Sequence, residues 1–440
     1  MGKVVSSLIM VLLFFSLFLF AYSVQPAKAQ SGTIYINPDG GIEPPTAPIS
    51  TFDNVTYTFV GDAFGGLCVK RDNIIIDGAN CTLHASGYVS GWPTGVFLSE
   101  VTNVTIRYLR IETVTEGIYV SSSSGNRLFG NVITSNESGT KPILFGIVLL
   151  NSSNNSVYEN NITLSAIPTP ENSLGICVDS SNYNMISANM IENTFEAIAL
   201  QDSAWNNVSG NTVRGNYYGI GVVGASNNII SENTITSGRT GIDLERCLNN
   251  VLSGNNVTEN NDSGIVLYPG ALKNTLCENY IANNERGITL WQASENSVYH
   301  NSFVNNSQQV DILESGYNLW DNGYPAGGNY WSNYNGTDFY SGPYQNVSGS
   351  DGIGDTVYVL GSENADHYPL LPPEKMRDLM IEKYNELSLL YQSLNSTHND
   401  LLSELNRTRN IAYILILTTT TFAATTIYLA VRKTKTNRSQ

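Results

Sequence analysis

The 440-residue chain holds 38 acidic against 22 basic side chains, a formal charge of −16 with a pI near 4.6. That balance excludes nucleic acid and anionic lipid as main partners, because phosphate recognition needs a basic surface. Five cysteines (Cys68, Cys81, Cys177, Cys247 and Cys277) with no CxxC spacing exclude a disulfide scaffold and leave Cys68 with Cys81 as the one local bridge to consider.

In chain order, residues 1–29 carry Lys3, an apolar run from Val4 to Phe20 and an Ala27-Lys28-Ala29 end. This is the layout of a secretory signal, with an uncleaved membrane anchor as the alternative. Both deliver the rest of the chain outside the cytoplasm. Asn-x-Ser/Thr triplets at Asn54, Asn80, Asn103, Asn207, Asn256, Asn335 and Asn395 fit that compartment, although a chain this rich in Asn, Ser and Thr makes some by chance. Residues 30–94 read as an N-terminal cap and first rungs: Thr33 to Ile36, Thr56 to Val60 and Ile74 to Gly78 close the open end, and Gly66-Leu67-Cys68-Val69 begins the regular register.

Residues 95–313 repeat one pattern. A glycine or alanine followed by an apolar-x-apolar triplet recurs every 22 to 29 residues, at Gly95, Gly117, Gly146, Gly175, Ala197, Gly219, Gly241, Gly264 and Gly287. In phase with it run two files of asparagine. One is Asn131, Asn160, Asn189, Asn211, Asn233, Asn255, Asn279 and Asn301. The other lies five residues earlier in each unit: Asn126, Asn155, Asn184, Asn206, Asn228, Asn250, Asn274 and Asn296. A period of this length with strand-like alternation and no helical spacing predicts an all-β, single-stranded parallel β-helix of about 11 rungs. An in-register Asn at a turn then stacks on its copy about 4.8 Å away and hydrogen-bonds along the file. The longer units place extra residues at Asn136 to Pro142 and Ala166 to Ser173, expected as surface loops.

Residues 314–373 are aromatic and glycine-rich: Trp320, Asn329-Tyr330-Trp331-Ser332-Asn333-Tyr334, Asp351-Gly352-Ile353-Gly354-Asp355 and Tyr368-Pro369-Leu370. They read as a cap over the last rung. Asp351 and Asp355 also offer hard oxygen donors to calcium, with a purely structural turn as the alternative. Residues 374–410 space Met380, Tyr384, Leu387, Tyr391, Leu394, His398, Leu401 and Leu405 as a heptad seam, a coiled-coil stalk that would make a homo-oligomer, or else a single amphipathic spacer helix. Residues 411–431 carry no charge over a length that spans a bilayer as a helix, and the basic tail at 432–440 (Arg432, Lys433, Lys435, Arg438) is expected in the cytoplasm.

The Asn-Tyr-Trp-Ser-x-Tyr, Asp-Gly-Ile-Gly-Asp and Tyr-Pro-Leu segments, behind the repeats and an Ile75-Ile76-Asp77-Gly78 strand, resemble the NosD-like periplasmic copper-binding proteins, and in particular their archaeal surface-anchored relatives. The resemblance covers about residues 32–372. It implies a right-handed parallel β-helix of the kind also used by carbohydrate-binding proteins and sugar hydrolases, and a copper-handling accessory role beside a transporter. Copper itself is implied by the resemblance alone: His84, His300, His367 and His398 are scattered, and no motif assigns ligands to this chain.

Chemistry is expected on the outward positions of the triplets, which stack into columns. Asp179, Gln201, Tyr268, Trp291, Arg286 and Asp311 are the candidate ligand-binding residues, because rings stack on sugar faces while polar groups meet sugar hydroxyls. Asp243 and Glu245, two apart on one strand and roughly 7 Å from each other, are the candidate catalytic carboxylates. Three functions are open: a membrane-anchored extracellular protein that binds glycan or serves surface architecture, a polysaccharide-cleaving enzyme (inverting glycosidase or lyase), or a copper accessory protein.

Overall fold

Apolar side chains spaced two apart can be buried on one face only if the backbone is extended. In the computed structural model every triplet is such a strand. Residues 32–85, 93–113, 115–135, 144–164 and 173–371 are described, with parts of 387–421. The triplets occupy one long sheet of 13 strands, and two further sheets of 12 strands each complete a three-sided coil. Ile118, Ile147, Ile176, Ile198, Ile220, Ile242, Ile265, Ile288 and Val310 stand in one parallel register across the long sheet. Ile118 through Ile288 in that row are fully buried.

The glycine that heads each triplet has a steric reason. A Cβ on Gly219 would collide with the carbonyl oxygen of Gly241 one coil on and stand 2.6 Å from Ile235 Cγ2. Alanine at position 197 is the largest residue any of these heads carries.

Both asparagine files lie at the corners flanking the second sheet, buried throughout. Asn233 shows the pattern: its Oδ1 accepts from the backbone N–H of Asn211 at 2.9 Å and from Asn211 Nδ2 at 2.9 Å, while its own Nδ2 donates to Val208 O and to Asn255 Oδ1. The residue ahead of each asparagine in the 131–301 file takes a left-handed backbone. Gly130, Gly210 and Gly254 do so without strain, and Glu159, Ala188, Glu232, Glu278 and His300 do so against a Cβ penalty of about 1 kcal/mol. The file over-determines that conformation.

Both files run on into the C-terminal cap. Asn296 bonds Asn318, and Asn301 bonds Asn329. At the third corner a shorter file, Asn260, Asn284 and Asn306, serves only the later coils.

Two expectations need correction at the N-terminal end. Ile34–Ile36 pairs in parallel with Leu67–Val69, Thr56–Phe59 with Ile75–Asp77, and Ile75–Asp77 with Thr105–Arg107, so all three are rung strands and not a lid, which makes twelve coils where about 11 were expected. The lid is formed by the antiparallel pieces Ile42–Glu43 and Ile49–Ser50. Cys68 and Cys81 are not bridged, and all five cysteines are free thiols.

The cap closes the other end with aromatic rings. Trp331 stacks on Phe303 at 4.3 Å and on Tyr358 at 4.5 Å, and its Nε1 donates to Asp366 at 2.9 Å. Burial pushes the Asp366 carboxyl up to about 6, against the pull of its hydrogen-bond donors Asn329, Trp331 and Tyr368. A carboxyl held above its ordinary value in the folded state favours folding at low pH, and that advantage is lost as pH rises through the folded value. The chain should therefore lose stability, on the order of 3 kcal/mol from this group, between pH 4 and 7. Urea unfolding across that range should show the loss, and Asp366→Asn should remove this group's share of it.

Asp351 and Asp355, the candidate calcium donors, sit among loop backbone donors. Asp355 accepts from the backbone N–H groups of Phe339 and Tyr340 and from Thr337, and Asp351 accepts from the N–H of Ile353. Among the described residues there is no group of three or more His, Cys, Asp or Glu side chains that could hold a metal ion.

Residues 372–440 form a separate unit. Its described parts within 387–421 are helical, with Leu387, Tyr391, Leu394, Leu401 and Leu405 exposed. Among the described residues no helix is long and apolar enough to cross a membrane. The expected span at 411–431 lies mostly outside the described residues, as do the signal at 1–29, the tail at 432–440 and most of both insertions.

Candidate functional site

On the outer face of the long sheet, three columns of side chains run from coil to coil. Register places Glu196, Tyr218, Thr240, Ser263 and Arg286 in the first, and Ala199, Gly221, Asp243, Val266, Thr289 and Asp311 in the second. Gln201, Val223, Glu245, Trp291 and Leu313 stand in the third, with Tyr268 directly after the strand Ser263–Leu267.

The second column narrows to alanine and glycine at Ala199 and Gly221, which opens a hollow. Glu196 leans into it from the first column: a Cβ on Gly221 would collide with Glu196 Oε1 and stand 3.5 Å from Asp243 Oδ1. Two carboxyl groups from strands two coils apart therefore meet above one glycine. Asp243 Oδ1 is sealed from solvent and has no hydrogen-bond partner, although each residue as a whole keeps part of its surface exposed.

A buried anion without a donor is costly, so both carboxyls are held above their ordinary range. Burial, and then the Asp243 charge, lifts Glu196 far above the ordinary carboxylate range. Burial, and then Glu245, does the same for Asp243. The effect spreads to neighbouring groups. The Tyr268 hydroxyl is pushed up to about 12, by burial first and then by Asp243, and the Cys177 thiol up to about 12, by burial first.

Rings frame the hollow. Tyr217 stacks on Phe195 at 5.1 Å, Tyr218 meets both edge-on at 5.3 and 4.9 Å, and Tyr268 meets Trp291 edge-on at 6.1 Å. Beside them a groove of about 690 Å³ is lined by Tyr217, Arg239, Asp262, Glu285 and Arg286, among others. Its arginines are already neutralised: Arg239 pairs with Asp262 at 3.3 Å, and Arg286 pairs with Asp262 and, at 3.3 Å, with Asp311.

The expected site residues thus divide. Asp243, Tyr268 and Trp291 lie together on the framed face, while Arg286 and Asp311 are tied to each other. Glu245 shares the face, but its carboxylate reaches Arg246 at 3.4 Å. The carboxylate that converges with Asp243 is Glu196. Asp179 and Gln201 stand half-buried at the earlier end of the third column, where Asp179 accepts from Ser180. The sequence signals for Glu196 are slight: an acidic residue directly ahead of the alanine that replaces glycine, and a second glycine inside the triplet Ile220-Gly221-Val222.

The histidines do not assemble a copper site. His84 Nδ1 bonds Glu112 at 2.7 Å, His300 Nε2 bonds the carbonyl of Ala326, and His367 Nδ1 bonds Asp321. The Cys177 and Cys247 thiols are buried and held protonated, the latter up to about 11. Soft copper ligation needs clustered thiolate, thioether or imidazole, and the residues present do not fit it.

The family model described as periplasmic copper-binding protein (NosD) matches residues 161–336. The model described as right handed beta helix region matches 25–167 and 66–235. No curated protein matches the chain. Among solved structures, a mutant of the periplasmic alginate epimerase AlgG is 14% identical, over 62% of this chain and 81% of that one, at a TM-score of 0.45. A mutant tailspike of E. coli bacteriophage HK620, in complex with a hexasaccharide, is 10% identical over 65% of this chain and 57% of that one, at 0.49. The Dettilon tailspike is 17% identical over 66% and 60%, at 0.45. At these identities and scores none of the likenesses bears on what this chain binds. The two family matches together span residues 25–336, where the coils and asparagine files lie, and over that stretch the chain is similar to the NosD and right handed beta helix families.

Proposed function

We propose that the chain binds glycan along the outer face of its long sheet, on a domain held outside the cell by the segment at 411–431. The observation that supports this reading is the framed hollow: Tyr218, Tyr268 and Trp291 present ring faces and edges around half-buried carboxyl groups, the combination that meets a sugar's apolar face and its hydroxyls. Net charge and the paired state of Arg239 and Arg286 favour a neutral glycan over a uronic acid polymer, which would need a cation to spare. The same pairing removes the charge that a polysaccharide lyase would require of Arg286.

The test is a glycan array followed by calorimetry on the best ligand. Trp291→Ala and Tyr268→Ala should each weaken binding about tenfold without altering the circular dichroism spectrum. Unchanged affinity in both variants would move the ligand off this face.

A further inference from the structure

Glu196 and Asp243 are an odd pair to keep on a scaffold this economical. They come from strands two coils apart, and Gly221, whose missing side chain makes room for Glu196, lies on the strand between them. A structural ladder would put asparagine or an aliphatic residue there. Instead Asp243 Oδ1 is buried without a donor and faces the space that Glu196 enters. One proton held between the two carboxyls would satisfy that oxygen and leave one acid and one carboxylate close together under an aromatic frame.

Resting on the glycan-binding reading, we propose that Glu196 and Asp243 are the catalytic pair of a glycoside hydrolase centre, with Glu196 as proton donor and Asp243 as nucleophile toward a neutral glycan. Both carboxyl oxygens crowd a single Cβ-sized point. That is nearer the separation of about 5 Å used by enzymes that retain anomeric configuration than the 6.5–9.5 Å, roughly, that leaves room for an attacking water.

In the first step the glycosidic C–O bond breaks, the leaving oxygen takes the proton from Glu196, and Asp243 Oδ2 bonds the anomeric carbon as an ester. In the second, the Glu196 carboxylate takes a proton from water, whose oxygen displaces Asp243 and restores both groups. Burial and the adjacent Asp243 charge keep Glu196 protonated near neutral pH, as a general acid requires. Tyr218 and Tyr268 flank the pair, and their hydroxyls stay neutral donors.

The full chain in detergent, given hexaoses of glucose, mannose, xylose, galactose and N-acetylglucosamine, should bind at least one and release shorter products whose first-formed anomer keeps the substrate's configuration by NMR. Glu196→Gln and Asp243→Asn should each lower release at least 1000-fold while binding persists and melting temperature stays within a few degrees. With Asp243→Gly and added azide, a glycosyl azide of inverted configuration should form. Binding by the unmodified chain without any product overturns the catalytic assignment and leaves the binding reading standing. Product release that survives both substitutions also overturns it, as does inverted product from the unmodified chain. If none of the five hexaoses binds, both readings fall together.

Discussion

Asn233→Ala should unfold at a urea concentration corresponding to a loss of about 4–6 kcal/mol, although it removes only a small amide. The size follows from what the amide serves. Its Oδ1 is the acceptor for a buried backbone N–H and for the Nδ2 of Asn211, and its Nδ2 links Val208 O and Asn255. Deleting it leaves the buried Asn211 N–H without an acceptor, at about 1–3 kcal/mol, and cuts three further bonds at about 1 kcal/mol each, although Asn211 Nδ2 keeps Ile186 O and Ser209 O. Asn256, one coil on and exposed on the neighbouring strand, supplies the control: Asn256→Ala should change stability by about 0.5 kcal/mol or less. If both variants unfold alike, the files are ornament and the coil is held by its apolar interior alone.

Trp331→Ala is expected to be as severe, for a different reason. The ring is fully buried between Phe303 and Tyr358 and sits tilted against Trp320 at 6.1 Å. Truncation leaves a ring-sized void at about 3–5 kcal/mol. It also orphans the acceptor Asp366 Oδ2 of one of its two donors, the other being the N–H of Asn329. Because the cap covers the last coil, the variant should expose strand edges and apolar surface, and light scattering should register association before unfolding is complete. Trp331→Phe keeps the stack and loses the indole donor, so it should cost about 1–2 kcal/mol and remain monodisperse.

The coil was legible because its determinants are local and repeated. Every glycine-led triplet and both asparagine files fall where the spacing places them, since each unit solves the same packing problem against the unit before it. The departures occur where the repeat stops. Ile34–Ile36 lacks the glycine head yet pairs as a rung. Asn318, 22 residues after Asn296, and Asn329, 28 after Asn301, continue the files from within the cap. The site was legible by half. Asp243 shows in the triplet, whereas Glu196 belongs to a strand two units earlier, and only the depth left by Gly221 brings the two together.

The third corner differs from the other two in a way that bears on how such chains change. Its file is broken at Thr194 and Gly238, and both seven-residue excursions enter there, between the third sheet and the long one. The two unbroken corners act as a spine that fixes coil height, while this one is a hem whose length can be altered without disturbing pitch. It also borders the column that carries Glu196. New segments let into the hem would therefore reshape what reaches the carboxyl pair while the scaffold beneath it stays the same.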